Sequence, residues 1–577
     1  MESARTFLFI LFVFLTFLLY QEWQEANAPI KQEKAPIETS INGYHPDQQQ
    51  QTQNQPPEES TPLNDDLSSQ LPESVEKSPS LPVVDMKPII VVTDTLKVVI
   101  SPNGGNMVSA ELLNYKETLD EDSKPLNILE NRNGRVFVAL SGLYGKGAPD
   151  FEKNIATYTS SQSSYTLNEN QETLDIDLVW VNQQGVEYIK RYTFLKGQYL
   201  INVSYIVNNH STEKIANRMF TALKRDTGEV EGQEVSGLGM RSYIGPTYFT
   251  EEDRYEKYDF EDLQEKDLQK TTANGWIALL QHYFVTAWIP QPEPTDINTI
   301  DTTTKNLGKA GLTQIRITQD WEWIEPNQSK TFSAKLYVGP KIQSDLEKIS
   351  KGLDLTVDYG FLWWIGKPIF YLLIFFQSFT INWGFAIILV TIAIKTLLYP
   401  LARAQYRSFA KMRLLQPKMT AMKEQYGEDR QKMSMKMMEL YKKEKVNPLG
   451  GCFPLLIQMP VFIALYWVLM ESVELRHAPF ILWIDDMSVK DPYYVMPLLM
   501  GASMYLMQKM QPMSPTMDPM QQKMMQMMPV FMTVFFVFFP AGLVLYWLMN
   551  NLISIAQQLY ITNQFNKEQE TKKKPKK

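Results

Sequence analysis

Residues Trp383–Pro400 read WGFAIILVTIAIKTLLYP. Every position from Phe385 to Ile394 is apolar except Thr391. At 1.5 Å per residue, such a run nearly matches the ~30 Å hydrocarbon core of a bilayer, so it is expected to be a membrane-spanning helix. Lys395 sits inside it. A lysine at that depth costs at least about 2.5 kcal/mol on insertion scales and is expected to face protein or water rather than acyl chains. Thr391, Lys395 and Tyr399 are spaced i, i+4 and i+8, which puts all three on one helix face. Lys395 is also about one turn from Pro400, so snorkelling to the headgroups is a competing reading. The polar stripe, rather than a lone lysine, favours a wet cavity.

Outward from this segment, apolar runs recur at Pro454–Met470, Tyr494–Met507, Met527–Phe539 and Leu543–Leu559, with Pro540-Ala541-Gly542 as a tight turn before the last. Another lies at Phe7–Tyr20. A cleaved signal peptide competes there, since Ala26–Ala28 has the small-x-small pattern. However, Arg5 is the only n-region cation and large residues continue to the end of the run. An uncleaved anchor over residues 1–24 is the favoured reading. Phe361–Phe379 is aromatic and apolar but interrupted by Gly366, Lys367 and Pro368, which suits an interfacial amphipathic helix.

Charge supports six spans. Residues 401–447 carry 12 Lys+Arg against 5 Asp+Glu, residues 471–492 carry 2 against 5, and the tail ends in a lysine cluster. The positive-inside rule then puts 401–447, the 508–524 loop and both termini in the cytoplasm, and residues 25–360 outside it. The chain as a whole is segregated: residues 1–345 hold 30 basic and 48 acidic side chains, residues 346–577 hold 26 and 16. Two environments are implied, although the average hydropathy resembles that of a soluble protein.

The front half divides again. Residues 25–80 are rich in Gln, Pro, Glu and Ser and hold too little apolar surface to offset their ordering entropy, so they read as a flexible tether. Residues 81–345 carry alternating or β-rich runs at Ile89–Thr93, Leu96–Ile100, Val136–Leu140, Leu174–Val181, Tyr188–Phe194, Tyr199–Val207, Trp276–Leu280, Phe284–Ile289, Thr313–Ile317 and Phe332–Val338, predicting a β-sandwich. A connector with the interfacial helix follows (346–382), then a helical core (383–562) carrying a cytoplasmic hairpin (401–447), then a basic tail (563–577). The fold class is thus a mixed membrane protein, six transmembrane helices with a large extracytoplasmic β-sandwich.

Little in the sequence suggests an enzyme. There is one cysteine, Cys452, read as a buried small residue, and no intramolecular disulfide is possible. The four histidines are scattered, without zinc-ligand spacing, and neither a glycine-rich phosphate loop nor a GxSxG turn is present. No cofactor, metal or catalytic residue is expected. The chemistry lies in polar groups within the spans: Gln458 beside Pro460, and Tyr546, Trp547, Asn550, Asn551 and Ser554. Each could be a plain interhelical hydrogen bond, but together with Lys395 they suggest a shared hydrophilic recess. No Asp or Glu lies inside any span, which argues against a carboxylate proton relay.

In the hairpin, Ala402–Tyr426 and Arg430–Lys445 have helical composition, broken at Gly427, with Asp429 as N-cap. Methionines recur at 412, 419, 422, 433, 435, 437 and 438. Packing between two antiparallel helices accounts for them; adaptable apolar contact with a client is the alternative. Arg403, Arg407 and Lys411 are among the cations that could meet anionic lipid headgroups or ribosomal RNA. A second methionine series runs through 507, 510, 513, 517, 520, 524, 525, 527 and 528.

The stretch Asn447–Pro460 (NPLGGCFPLLIQMP), with Gly542–Trp547 (GLVLYW) and Asp491–Tyr494 (DPYY), resembles the signature of the YidC/Oxa/Alb family of membrane insertases, in its Gram-negative form. The order of anchor, β-domain, amphipathic helix, five-span core and basic tail matches throughout, while the specific motifs fall within residues 380–560. The resemblance implies an inner-membrane insertase and folding chaperone that acts alone or with the Sec translocon. It implies a hydrophilic groove open to cytoplasm and lipid, whose basic residue is usually arginine and here is Lys395. Thr391 matches a groove-lining position, Tyr546 and Trp547 match substrate-contacting aromatics, and the hairpin matches required cytoplasmic helices. Tyrosine is common in the family where Trp547 stands. The β-domain is implied to be a supersandwich, largely dispensable for insertion. Nascent membrane proteins, the Sec translocon, the ribosome, the signal-recognition receptor and anionic lipids are the implied partners, with no small-molecule substrate. A small-solute transporter would need midplane ion ligands and internal repeats, and a carbohydrate sensor would keep its activity in residues 81–345.

Overall fold

The computed structural model describes residues 87–132, 135–150, 155–228, 242–291, 297–305, 311–426, 429–444, 453–511 and 519–573. The expected anchor (1–24), the tether (25–80), Gly427, residues 447–452 of the motif with Cys452, Met513, Met517 and the tail residues 574–577 lie outside the described residues. Two compact units emerge. One holds the described residues up to Tyr371 together with Ile463–Ser488, the other Leu372–Phe462 and the described residues from Val489.

Strand alternation builds the first unit. In Val186–Leu195 and Leu200–Asn209, buried and half-buried residues alternate without a break, the period-two pattern of strands with one face on a core. These strands pair antiparallel, and Ser329–Pro340 pairs along the other side of Leu200–Asn209. They centre a nine-stranded sheet. In an eleven-stranded sheet, Ile215–Asp226 lies between Arg135–Tyr144 and Leu312–Thr318. One apolar cluster draws on both sheets, with Val98, Leu223 and Ile315 from one and Tyr192, Val203 and Leu336 from the other. The Trp288 indole donates to the Ala222 carbonyl at 3.1 Å, joining the two. The expected sandwich is present, and each run read from the sequence is a strand. Ile215–Asp226 and most of Arg135–Tyr144 escape an alternation test because nearly all their residues are buried.

Helices α1 (Phe260–Glu265) and α2 (Gln343–Ile349) belong to this unit. Beyond it run α3 (Trp363–Thr380), α4 (Trp383–Leu397), α5 (Tyr399–Tyr426), α6 (Arg430–Lys443), α7 (Phe453–Glu471), α8 (Val495–Met510), α9 (Pro519–Phe536) and α10 (Ala541–Lys573). Helix α3 runs through Gly366, Lys367 and Pro368 without a break, a single helix over the stretch read as an interfacial helix. The proline lies in its second turn, where only one carbonyl loses its donor, and Lys367 pairs with Asp354 at 3.3 Å. Gly360–Thr380 is long and apolar enough to cross a membrane by length and composition.

In the helical unit α10 packs against α4, α5 and α8, and α9 packs against α8. Close approach of α8 and α9 depends on Gly501, where a Cβ would overlap the Thr533 hydroxyl.

The end of α7 and the loop after it are built into the β-unit. Val473 joins the sandwich core. Arg476 donates to the Lys116 carbonyl at 2.7 Å and the Glu117 carbonyl at 3.2 Å. Glu471 and Lys341 form a buried ion pair at 3.5 Å, and the Ser242 hydroxyl donates to Glu471. A ring nitrogen of His282 lies 2.9 Å from the Met470 carbonyl. Burial pushes the Glu474 carboxyl from its ordinary 4.5 up to about 7.

Two outcomes follow from this packing. A raised carboxyl pKa stabilises the fold below the unfolded value, and that contribution is lost as pH rises through the folded value. Unfolding midpoints of the full chain should therefore fall between pH 4.5 and 7, by at most about 3 kcal/mol from this group, and Glu474→Gln should flatten that slope. Gly501→Ala should lower the unfolding midpoint, by about 1–3 kcal/mol for an overpacked helix contact, with Thr533→Ala partly restoring it.

Candidate functional site

Asn382 starts α4 by accepting from the Phe385 N–H, and the face that α4 buries carries Ile387, Thr391 and Lys395 at four-residue spacing. Tyr399 does not continue it. The helix stops at Leu397 and the chain bends by 68° into α5, which Tyr399 opens. Pro400 contributes to the break, since it supplies no N–H to the preceding turn. The Thr391 hydroxyl is occupied within its own helix, donating to the Ile387 carbonyl at 2.7 Å.

Lys395 is only 8% exposed. Its ammonium donates to Ser554 Oγ of α10 at 2.9 Å and to Gln458 Oε1 of α7 at 3.3 Å. Gln458 in turn donates from Nε2 to Asn550 Oδ1 and shares a hydrogen bond with Tyr546. Ser554 donates to the Asn550 carbonyl at 2.6 Å and is bonded by Tyr406 of α5. Four helices thus meet at one polar knot. Among the described residues no carboxylate pairs with Lys395, and its ammonium is held by neutral dipoles.

Helix α10 supplies most of those dipoles. Asn550, Ser554 and Gln558 are spaced by four and lie on one stripe. Asn551 beside them donates to Ser503 Oγ of α8 at 3.0 Å, and Gln558 donates to the Met510 carbonyl at 2.9 Å. Trp547 is apart from the knot: its ring packs edge-on against Phe462, centroids 4.5 Å apart, and near Phe536 at 5.1 Å, while its indole N–H is buried without an acceptor.

Of the expected groove residues, the structure therefore joins Lys395, Gln458 and Tyr546 in one hydrogen-bonded cluster. Thr391 lies on the same buried face, Tyr399 is turned onto another helix, and Trp547 sits in an aromatic pocket. Asn550 and Ser554 are direct members of the cluster; their i, i+4 spacing is the sequence signal for them. Tyr406 carries no such signal, because its approach depends on the bend at Leu398.

In the hairpin, Asp429 caps α6 as expected, accepting from the Gln431 and Lys432 N–H groups at 3.1 and 3.0 Å. Met419 and Met437 are buried with Leu415 and Leu440, and Met412 and Met422 pack against them. Met435 and Met438 are exposed, as are Met520, Met524, Met527 and Met528 on α9. Arg407 pairs with Glu568 of α10, whereas Arg403 and Lys411 are exposed.

Comparison with known proteins completes the description. Residues 88–372 match the YidC periplasmic domain family, and residues 375–569 match the 60Kd inner membrane protein family. A membrane protein insertase YidC of Shewanella pealeana is 48% identical over 562 residues, 97% of this chain and 98% of that protein. One of Shewanella loihica is 48% identical over 564 residues with the same coverage. Among solved structures, an active YidC insertase with its first transmembrane domain resolved aligns at a TM-score of 0.35 and 18% identity, over 82% of this chain and 92% of that one.

The coupling inside the knot is measurable. Gln458→Leu and Asn550→Leu should each destabilise the helical unit, and the double variant should cost less than the sum by about 0.6 kcal/mol, the usual worth of such a bond between membrane helices. Unfolding in detergent of the four corners of that cycle gives the value.

Proposed function

This chain belongs to the YidC family of membrane protein insertases, and from that premise we propose that the Lys395 knot is the point at which an incoming polypeptide's polar flank is held during insertion. The protein inserts membrane proteins into the inner membrane, and it carries a periplasmic domain. The observation that carries the proposal is the buried ammonium of Lys395, which among the described residues has Ser554 and Gln458 as its side-chain partners. A cation desolvated without a counter-ion gains more from an arriving carboxylate than a paired one does.

In this reading a nascent hydrophobic segment first meets the exposed methionines of α6 and α9, whose flexible side chains adapt to varied apolar surfaces. Its polar flank enters beside Lys395, with Tyr546 and Gln458 offering further hydrogen bonds. The apolar part then leaves sideways into lipid along α7 and α9. No nucleotide-binding motif is present in the sequence, so the drive is hydrophobic partitioning, aided by the membrane potential at about 2.3 kcal/mol per charge per 100 mV. We read the protein as non-catalytic.

The finer topology belongs to the same proposal. Six spans are formed by the N-terminal anchor with α4, α7, α8, α9 and the first part of α10, and α3 lies in the interface. Both termini and the hairpin then face the cytoplasm, following the basic excess of 401–447. The proposed domain limits are tether 25–80, β-domain 81–345, connector 346–382, core 383–562 and tail 563–577. The Sec translocon, the ribosome, the signal-recognition receptor and anionic lipids are proposed partners, the last three through Arg403, Lys411 and their neighbours.

Lys395→Glu and Lys395→Arg, assayed for insertion of a client with an acidic flank in reconstituted vesicles, test the proposal. Glu should lower insertion roughly tenfold, the effect of about 1.4 kcal/mol of lost attraction, whereas Arg should retain it. Equal insertion by Glu and Lys removes the electrostatic role.

A further inference from the structure

The loop that follows α7 closes on itself. The Met487 N–H donates to the Ala478 carbonyl at 3.0 Å, the Phe480 N–H to the Ile484 carbonyl at 2.8 Å and the Ile484 N–H to the Ile481 carbonyl at 3.2 Å. Its base is buried at Ala478, Ile484 and Met487 and is braced on the sandwich through Arg476 and the carbonyls of Lys116 and Glu117. Its tip is the reverse. Ile481 is 45% exposed and Leu482 80% exposed, and Leu482 holds a φ of 59°, a left-handed conformation that suits glycine or asparagine and disfavours leucine.

A single exposed leucine on a soluble surface needs no account. This one differs in three respects. It sits on a strained turn, beside a second exposed branched apolar residue, at the end of a loop whose base is buried and braced on the sandwich. In water such a tip pays backbone strain and gains no burial. The loop also starts directly from the end of α7, at Glu471, and α7 is a span in the topology above. Its base therefore lies at the bilayer surface.

We propose that residues Ala478–Met487 form a finger whose tip, Ile481 and Leu482, is immersed in the acyl chains of the outer leaflet. The β-domain holds the finger through Arg476 and, at the end of α7, through the buried Lys341–Glu471 pair. The inference rests on the reading of α7 as a span with the following loop outside.

The test uses the full chain in lipid vesicles, with a nitroxide on L482C in a C452S background, which removes the only native cysteine. Collisional relaxation by oxygen reports the lipid phase and by a nickel chelate the aqueous phase. I392C on the exposed face of α4 is the lipid reference, and V181C at the end of a sandwich strand is the aqueous one. A preference for oxygen at 482 that approaches the one at 392 supports the finger. Nickel accessibility at 482 equal to that at 181, with 392 still in lipid, overturns the finger and leaves the insertase topology intact. Nickel accessibility at 392 as well overturns both. A label at 482 shielded from both agents is covered by protein, which also overturns the lipid assignment.

Discussion

A lysine ammonium buried among apolar helices without a carboxylate beside it is the constraint around which the helical unit is arranged. Desolvating that charge is costly, and the chain offsets the cost only in part, with one hydroxyl, one amide oxygen and the groups that orient them. Two other buried lysines show the alternative. Lys341 is paired with Glu471. Lys190 lies inside the sandwich on the Gly104 and Ser141 carbonyls, at 3.1 and 3.0 Å, and feels the charge of Asp150. Those two are closed structural contacts. Lys395 has no carboxylate partner among the described residues, which is the arrangement that suits it to receive an anion in the proposed reading.

The same contrast separates the two sets of methionines. Met419 and Met437 are consumed by packing between α5 and α6, as antiparallel helices of that composition predict. Met435, Met438 and the series from Met520 to Met528 are left outward. A sequence count treats them alike, whereas the helical phase sorts them. Positions that share the stripe of Leu415 and Leu440 are core, and the remainder form a soft apolar surface of the kind that binds without demanding one shape.

Much of this was legible in the residues because period is a local property. Strict alternation marks Val186–Leu195 and Leu200–Asn209, long apolar runs mark α4 and α7, and Asp429 announces the cap of α6. The Lys395–Gln458–Tyr546 association was foreshadowed by three polar interruptions in three spans. What escaped depends on contacts between elements. Tyr399 leaves the Lys395 face because one proline ends a helix that spacing alone would extend. The strand alternation puts Lys190 inward, yet nothing local says that backbone carbonyls from the facing sheet await it. The loop after α7 reads as a short acidic connector, and its union with the sandwich depends on Val473 and Arg476 meeting strands far away in the chain.

The choice of lysine rather than arginine at residue 395 then has a geometric rationale. An ammonium has three N–H donors, and two are engaged, on Ser554 and Gln458. One remains, which is the number needed to meet an incoming carboxylate or carbonyl without breaking the knot. A guanidinium brings five donors in a rigid fork and would need acceptors beyond Ser554 and Gln458; on α10, Asn551 Oδ1, Gln557 Oε1 and Gln558 Oε1 are buried without partners. Each unmet donor in such surroundings costs free energy. In the proposed reading, lysine carries the charge with only three donors to satisfy, and its flexible stem lets the ammonium follow a client whose polar atoms arrive at no fixed position.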